Sequence, residues 1–243
     1  MDEAYSSYSY KRYRRKPRVF VFIIVPLVLA TVFFTANLIW GFVDFGAIRR
    51  SNQVVTLPSV TFHTTQTQGQ QNKSDALRTA VEVKNAGGSA YLVVKDNLWA
   101  VVKEISSKPF DGSTAHTTTQ VSINLVDEAH RQIIENLVGS FKTTFDVLCD
   151  FHDRYKDGEL SMKEITDMAR IAYNNLVDLV GELELVQSSV RSAQYGELLR
   201  ALTGQLFGLN ILWLETDPGS FLHTIKNASA WTIYAYFELT RTL

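Results

Sequence analysis

From Val19 to Val43 the chain reads "VFVFIIVPLVLATVFFTANLIWGFV", 25 residues without a charged side chain. About 20 apolar residues in helical form cross the hydrocarbon core of a bilayer, so a run of this length spans it with some tilt. A secretory signal would carry a shorter apolar stretch, so the run reads as a retained anchor. Lys11, Arg12, Arg14, Arg15, Lys16 and Arg18 precede it, and only Arg49 and Arg50 follow closely. Basic flanks stay cytoplasmic, which places residues 1–18 inside as a short basic tail and the bulk of the chain outside. The expectation is a cell-membrane protein with one span and an extracytoplasmic body.

This run also decides how the charge is read. The whole chain carries 24 basic and 25 acidic residues, but the part from Ser51 onward keeps 16 basic against 22 acidic. An acidic body argues against nucleic acid as a partner, because phosphate neutralisation needs a basic face. The chain has one cysteine, Cys149, so an intramolecular disulfide is ruled out. Five scattered histidines show no spacing of a zinc site, and no cofactor is expected.

Residues 44–57 read as a linker. Beyond them "VTLPSVTFHT" alternates enough for a strand around Val60–Thr64, and the Gln/Thr/Asn-rich part from Thr64 reads as loop. "SDALRTAVEVKNAGG" predicts a helix capped by Ser74 or Asp75, with Leu77, Ala80, Val81 and Lys84 at helical spacing and a stop at Gly87-Gly88. "SAYLVVK" and "LWAVVKEI" predict two strands joined at Asp96-Asn97 by a hairpin turn. "SSKPFDGST" is a breaker-rich loop, and "HTTTQVSINL" predicts one further strand. From Asp127 the period changes to that of helices. Ile133, Ile134, Leu137, Val138, Phe141, Phe145 and Leu148 form one stripe, and three more long helical segments follow with short turns.

The stretch "SDALRTAVEVKNAGGSAYLVVKDNLWAVVKEI" resembles the sporulation-related repeat (SPOR) domain of bacterial envelope proteins. More widely the chain is similar to SPOR-like single-pass membrane proteins of clostridia and related Gram-positive spore formers. "YKDGELS" and "WTIYAYFELTRTL" are the matching stretches of the helical part. The resemblance implies an α+β, ferredoxin-like unit over residues 58–125, followed by a bundle of about four antiparallel helices over 126–243. It also implies a sheet that binds peptidoglycan glycan strands at division septa or the forespore membrane. The chain departs from the pattern after Ile105, where "SSKPFDGSTA" stands in place of a second helix. A helical C-terminus of this size can pack on that sheet and cover the face that binds glycan in the family.

Phe62, Tyr91 and Trp99 are the aromatic candidates for sugar stacking; the alternative is that they fill the sheet–helix core. "DRYKDGELSMKE" places Asp153, Asp157, Gly158 and Glu164 at calcium-loop positions. Tyr155 stands where a carboxylate or amide oxygen is needed, so a helix–turn–helix with Ser161 and Glu164 as a capping box is the better reading. The triplets Asn72-Lys73-Ser74 and Asn227-Ala228-Ser229 are chance matches to a glycosylation signal in a bacterial chain. No phosphate loop or nucleophile motif is present, and Cys149 sits on an apolar stripe. The sequence thus predicts a non-catalytic envelope protein that binds peptidoglycan glycan or an envelope partner protein. The alternative is an assembly protein whose apolar C-terminal helices dock another membrane protein.

Overall fold

The computed structural model describes residues 54–243. The tail and the run Val19–Val43 lie outside them. Among the described residues no helix is long and apolar enough to cross a membrane. The order is β1 Val54–Leu57, β2 Thr61–Gln66, α1 Lys73–Asn85, β3 Tyr91–Lys95, β4 Leu98–Ser106, β5 Thr114–Thr117 and β6 Val121–Asn124. A single 3-10 turn then leads into α2 Arg131–Lys156, α3 Met162–Val190, α4 Ala193–Leu214 and α5 Pro218–Thr242. The α+β class and the four-helix C-terminal part are as expected.

The strands form two antiparallel sheets, one ordered β3-β4-β2-β5 and one a β1-β6 pair. β1 lies in the stretch read as linker. Its four residues are too few to show alternation, and its partner β6 lies far along the chain, with Val54 opposite Asn124 and Leu57 opposite Val121. The single strand expected over "HTTTQVSINL" is two, in different sheets. The break falls at buried Thr118, which donates its N–H to Val60 O at 2.9 Å and accepts from Val60 N at its Oγ1 at 2.8 Å.

Helix α1 starts after Asn72 rather than at Ser74 or Asp75, and the Asn72 side chain makes no cap bond. It buries Ala76, Ala80 and Val83, while Leu77 and Val81 are 47% and 58% exposed. The buried stripe is one position round from the expected one, because small Ala76 and Ala80 allow the close approach to the sheet. At the other end Gly87 donates to Lys84 O at 2.9 Å and Gly88 to Val83 O at 2.8 Å. That pair of bonds is a Schellman turn, with Gly87 at φ +79° supplying the left-handed residue. Asp96 and Asn97 both have positive φ, +51° and +63°, as a two-residue hairpin of matching twist needs.

The α2 stripe from Ile134 to Leu148 is buried as expected, with Ile133 only partly so. At the turn into α3 the Ser161 hydroxyl accepts from Glu164 N at 3.3 Å, and Glu164 Oε2 accepts from Ser161 N at 2.8 Å. This is the expected capping box, and it occupies the carboxylate that a calcium loop would use last. Ser161→Ala should cost about 1 kcal/mol, read as a lower urea midpoint at unchanged slope. An unmoved midpoint would mean that the cap contributes nothing. Asp217 caps α5 by accepting from Gly219 N at 3.0 Å, with Pro218 in the first turn.

One hydrophobic core runs across residue 125. It joins Val55, Leu57 and Ile123 of the small sheet to Phe62, Val102 and Ile105 of the large one, and continues through α2, α4 and α5. The sheets and the helices are therefore one compact unit rather than two packed bodies.

Candidate functional site

Successive residues of a strand face opposite sides, so the large sheet offers two faces, and α1 and α5 pack on them. On the α5 side Phe62 is fully buried. Its ring meets Tyr234 at 5.4 Å, Phe237 at 5.9 Å and Phe145 at 6.4 Å edge-on, and stacks on His116 at 5.3 Å. Tyr91 stacks on Tyr234 at 5.1 Å and meets the edge of Trp231 at the same distance. Burial, then the nearby Tyr234 and Glu238, pushes the Tyr91 phenol up to about 12, and burial does the same to Tyr234. A bulge between Thr65 and Gln66 in the β2–β4 register lets both Val102 and Ile105 reach this core.

Long-range polar bonds fix α5 on this face. Gln66 Nε2 donates to Tyr234 Oη at 3.0 Å, and Tyr236 Oη donates to Pro58 O at 2.6 Å. His223 Nδ1 donates to Gly88 O, and Lys226 Nζ donates to Gly87 O at 3.1 Å. The grip of His223 and Lys226 on the glycine turn spans more than 130 positions of sequence. No local signal announces it: in the sequence His223 is one of five scattered histidines.

On the other face Leu92 and Val101 pack against Ala80 and Val83 of α1. Trp99 lies at the end of this face, half-buried, with Lys73 Nζ 5.1 Å from its ring centroid. Its backbone is held by Gln70 through two bonds of 2.7 Å. Farther along the sheet, on β2, the alternation that turns Phe62 and Thr64 inward turns Thr61, His63 and Thr65 outward. Thr61 and Thr117 are exposed and share a bond of 3.0 Å between their hydroxyls.

The three aromatic candidates are thus not brought together. Phe62 and Tyr91 belong to the core under α5, and Trp99 stands on the opposite face. Cys149 is buried, and burial pushes its thiol up to about 12, so it stays protonated at neutral pH. Among the described residues no three or more His, Cys, Asp and Glu side chains are placed to hold a metal. Met162, Lys163, Thr166, Asp167, Glu215 and Thr216 line an open crevice of about 450 Å³. The Asn227-Ala228-Ser229 triplet lies within α5, with Ser229 buried.

Compared with protein-family models, with curated proteins and with solved structures, the chain matches none.

Proposed function

We propose that the chain is a non-catalytic, membrane-anchored protein of the cell envelope, and that it acts by binding the glycan strands of peptidoglycan. Its outward part would be a ferredoxin-like, SPOR-like unit fused to a helical bundle. The observation that carries this reading is the strand order. Counted one to four, β2, β3, β4 and β5 lie in the order 4-1-3-2 once the sheet is read from β5, with α1 between the first and second. That is the arrangement of a βαββαβ unit whose second helix has been replaced by the loop 107–113. The uncharged run Val19–Val43 and its basic flank supply the anchor and the orientation.

The face under α5 is filled by side chains, so the glycan site of this reading moves to the opposite face. There Trp99 offers a ring and Lys73 a cation. The test uses the full-length chain in mild detergent with isolated sacculi, before and after amidase removes the stem peptides. Retention should rise on stripped sacculi. Trp99→Ala should lower it about threefold to tenfold, the equivalent of one aromatic stacking contact. Equal retention of the variant, or none on either preparation, would contradict the reading.

The alternative, an assembly protein, loses α5 as its docking segment. Of "SAWTIYAYFELTRTL", Ala230, Ile233, Tyr236 and Leu239 are all buried. What favours this alternative now is a different set: Ile171 and Leu185 on α3 and Phe207 and Leu214 on α4 are 46% to 74% exposed. If sacculi retain nothing, cross-linking in cells from these four positions is its test.

A further inference from the structure

Three elements meet at one corner of the large sheet: the glycine turn that ends α1, strand β4, and α5. His223 of α5, 7% exposed, donates from Nδ1 to the carbonyl oxygen of Gly88. One turn on, Lys226 donates to the carbonyl oxygen of Gly87 at 3.1 Å and pairs with Glu104 of β4 at 2.7 Å. Both carbonyls are fixed by the Schellman turn, and Ser89 of the same turn donates to Lys103 O at 2.8 Å. The bond to Gly88 places a hydrogen on Nδ1 of His223, so an added proton must go to Nε2.

We propose that His223 and Lys226 form an acid-sensitive latch that fastens the C-terminal helix to the Gly87–Gly88 turn, shut while His223 is neutral and weakened when it takes a second proton. The proton would add a cation beside Lys226 on α5 and Lys84 on α1. Glu215 at the end of α4 draws in the opposite sense, and Glu104 is already engaged by Lys226. Burial is the largest influence and holds the imidazole below its ordinary range; Lys84 and Lys226 add to it, while the Gly88 carbonyl and Glu215 oppose it. Because the folded-state pKa is lowered, the latch's contribution is complete above the ordinary histidine pKa. It is lost as pH falls from there through the folded value. Loosening this corner would expose the part of the sheet where Tyr91 meets Trp231 and Tyr234. The latch rests on this geometry and on no assumption about what the protein binds.

The test uses the full-length chain in mild detergent, labelled with 15N at histidine, with urea unfolding at pH 7.5 and 5.5. The His223 ring should titrate below free histidine. The unfolding equilibrium constant should rise on acidification, with about tenfold as the ceiling for each histidine that stays neutral in the folded state. His223→Gln should remove one share of that rise. His116 is also held low, by burial and then by Lys95 and His63, so His116→Gln should remove a separate share. Lys226→Met should move the His223 midpoint upward. A ring midpoint at or above that of free histidine would overturn the proposal. So would an unchanged pH dependence in His223→Gln, or a midpoint unmoved by Lys226→Met. Should His223→Gln fail to fold, the ring titration of the unsubstituted protein still decides.

Discussion

Phe62→Ala should cost the protein about 3–5 kcal/mol, while Trp99→Ala should cost about 1 kcal/mol or less. Both residues are large aromatics on strands of the same sheet, and from composition either could have been a sugar platform or a piece of core. The structure separates them. Phe62 has no exposed surface and touches aromatic rings from β5, α2 and α5, so truncation leaves a cavity that three packed elements cannot collapse into. Trp99 is half-buried at the margin of the other face, and its contact with Lys73 is a surface cation–π pair. Urea unfolding of the two variants measures the difference directly. A Phe62→Ala loss below about 1 kcal/mol would mean that α5 does not seal this face in solution.

The second large effect falls on adjacent glycines that look equivalent in the sequence. At Gly88 an added Cβ would sit 2.6 Å from Val83 Cγ1 and 2.9 Å from the carbonyl oxygen of Lys103. The valine methyl can shift, but Lys103 O is held in the bond from Ser89 N. Gly88→Ala should therefore cost about 2–3 kcal/mol, the upper part of the usual range for forcing an extra carbon into a packed site. It should also move the Gly88 carbonyl off His223. At Gly87 the added carbon meets nothing within 4 Å, and the cost is only that of a left-handed backbone at φ +79°, about 1 kcal/mol. The comparison is made by urea midpoints of the two alanine variants. A Gly87→Ala variant weaker than Gly88→Ala would show that backbone conformation, not crowding, governs this turn.

These contrasts show where sequence reasoning reached and where it stopped. The helices of the bundle were legible because each writes its own stripe; the segment from Ile134 to Leu148 needs no knowledge of its partner. The hairpin at Asp96-Asn97 and the stop at Gly87-Gly88 were legible because turn chemistry is local. β1 was not, since four residues paired with a strand far along the chain carry no pattern of their own. The α1 stripe was misplaced by one position because Leu77 and Val81 are more apolar than Ala76, and only the proximity of the sheet favours the smaller residue. The site was the least legible part. Whether Phe62 and Tyr91 are platform or core depends on Trp231, Tyr234 and Phe237, which arrive some 140 to 175 positions later.

At neutral pH α5 is an integral part of the core and closes one face of the sheet, leaving binding to the remaining surface. Native-state hydrogen exchange of the full-length chain at neutral pH tests it most directly. The amides of α5 between Ile225 and Tyr236 should exchange only through global unfolding, with the same free energy as those of α2 between Leu137 and Leu148. Exchange of the α5 amides at a free energy several kcal/mol lower, with α2 still protected, would make the C-terminal helix a lid and return the face carrying Tyr91 to the list of binding surfaces.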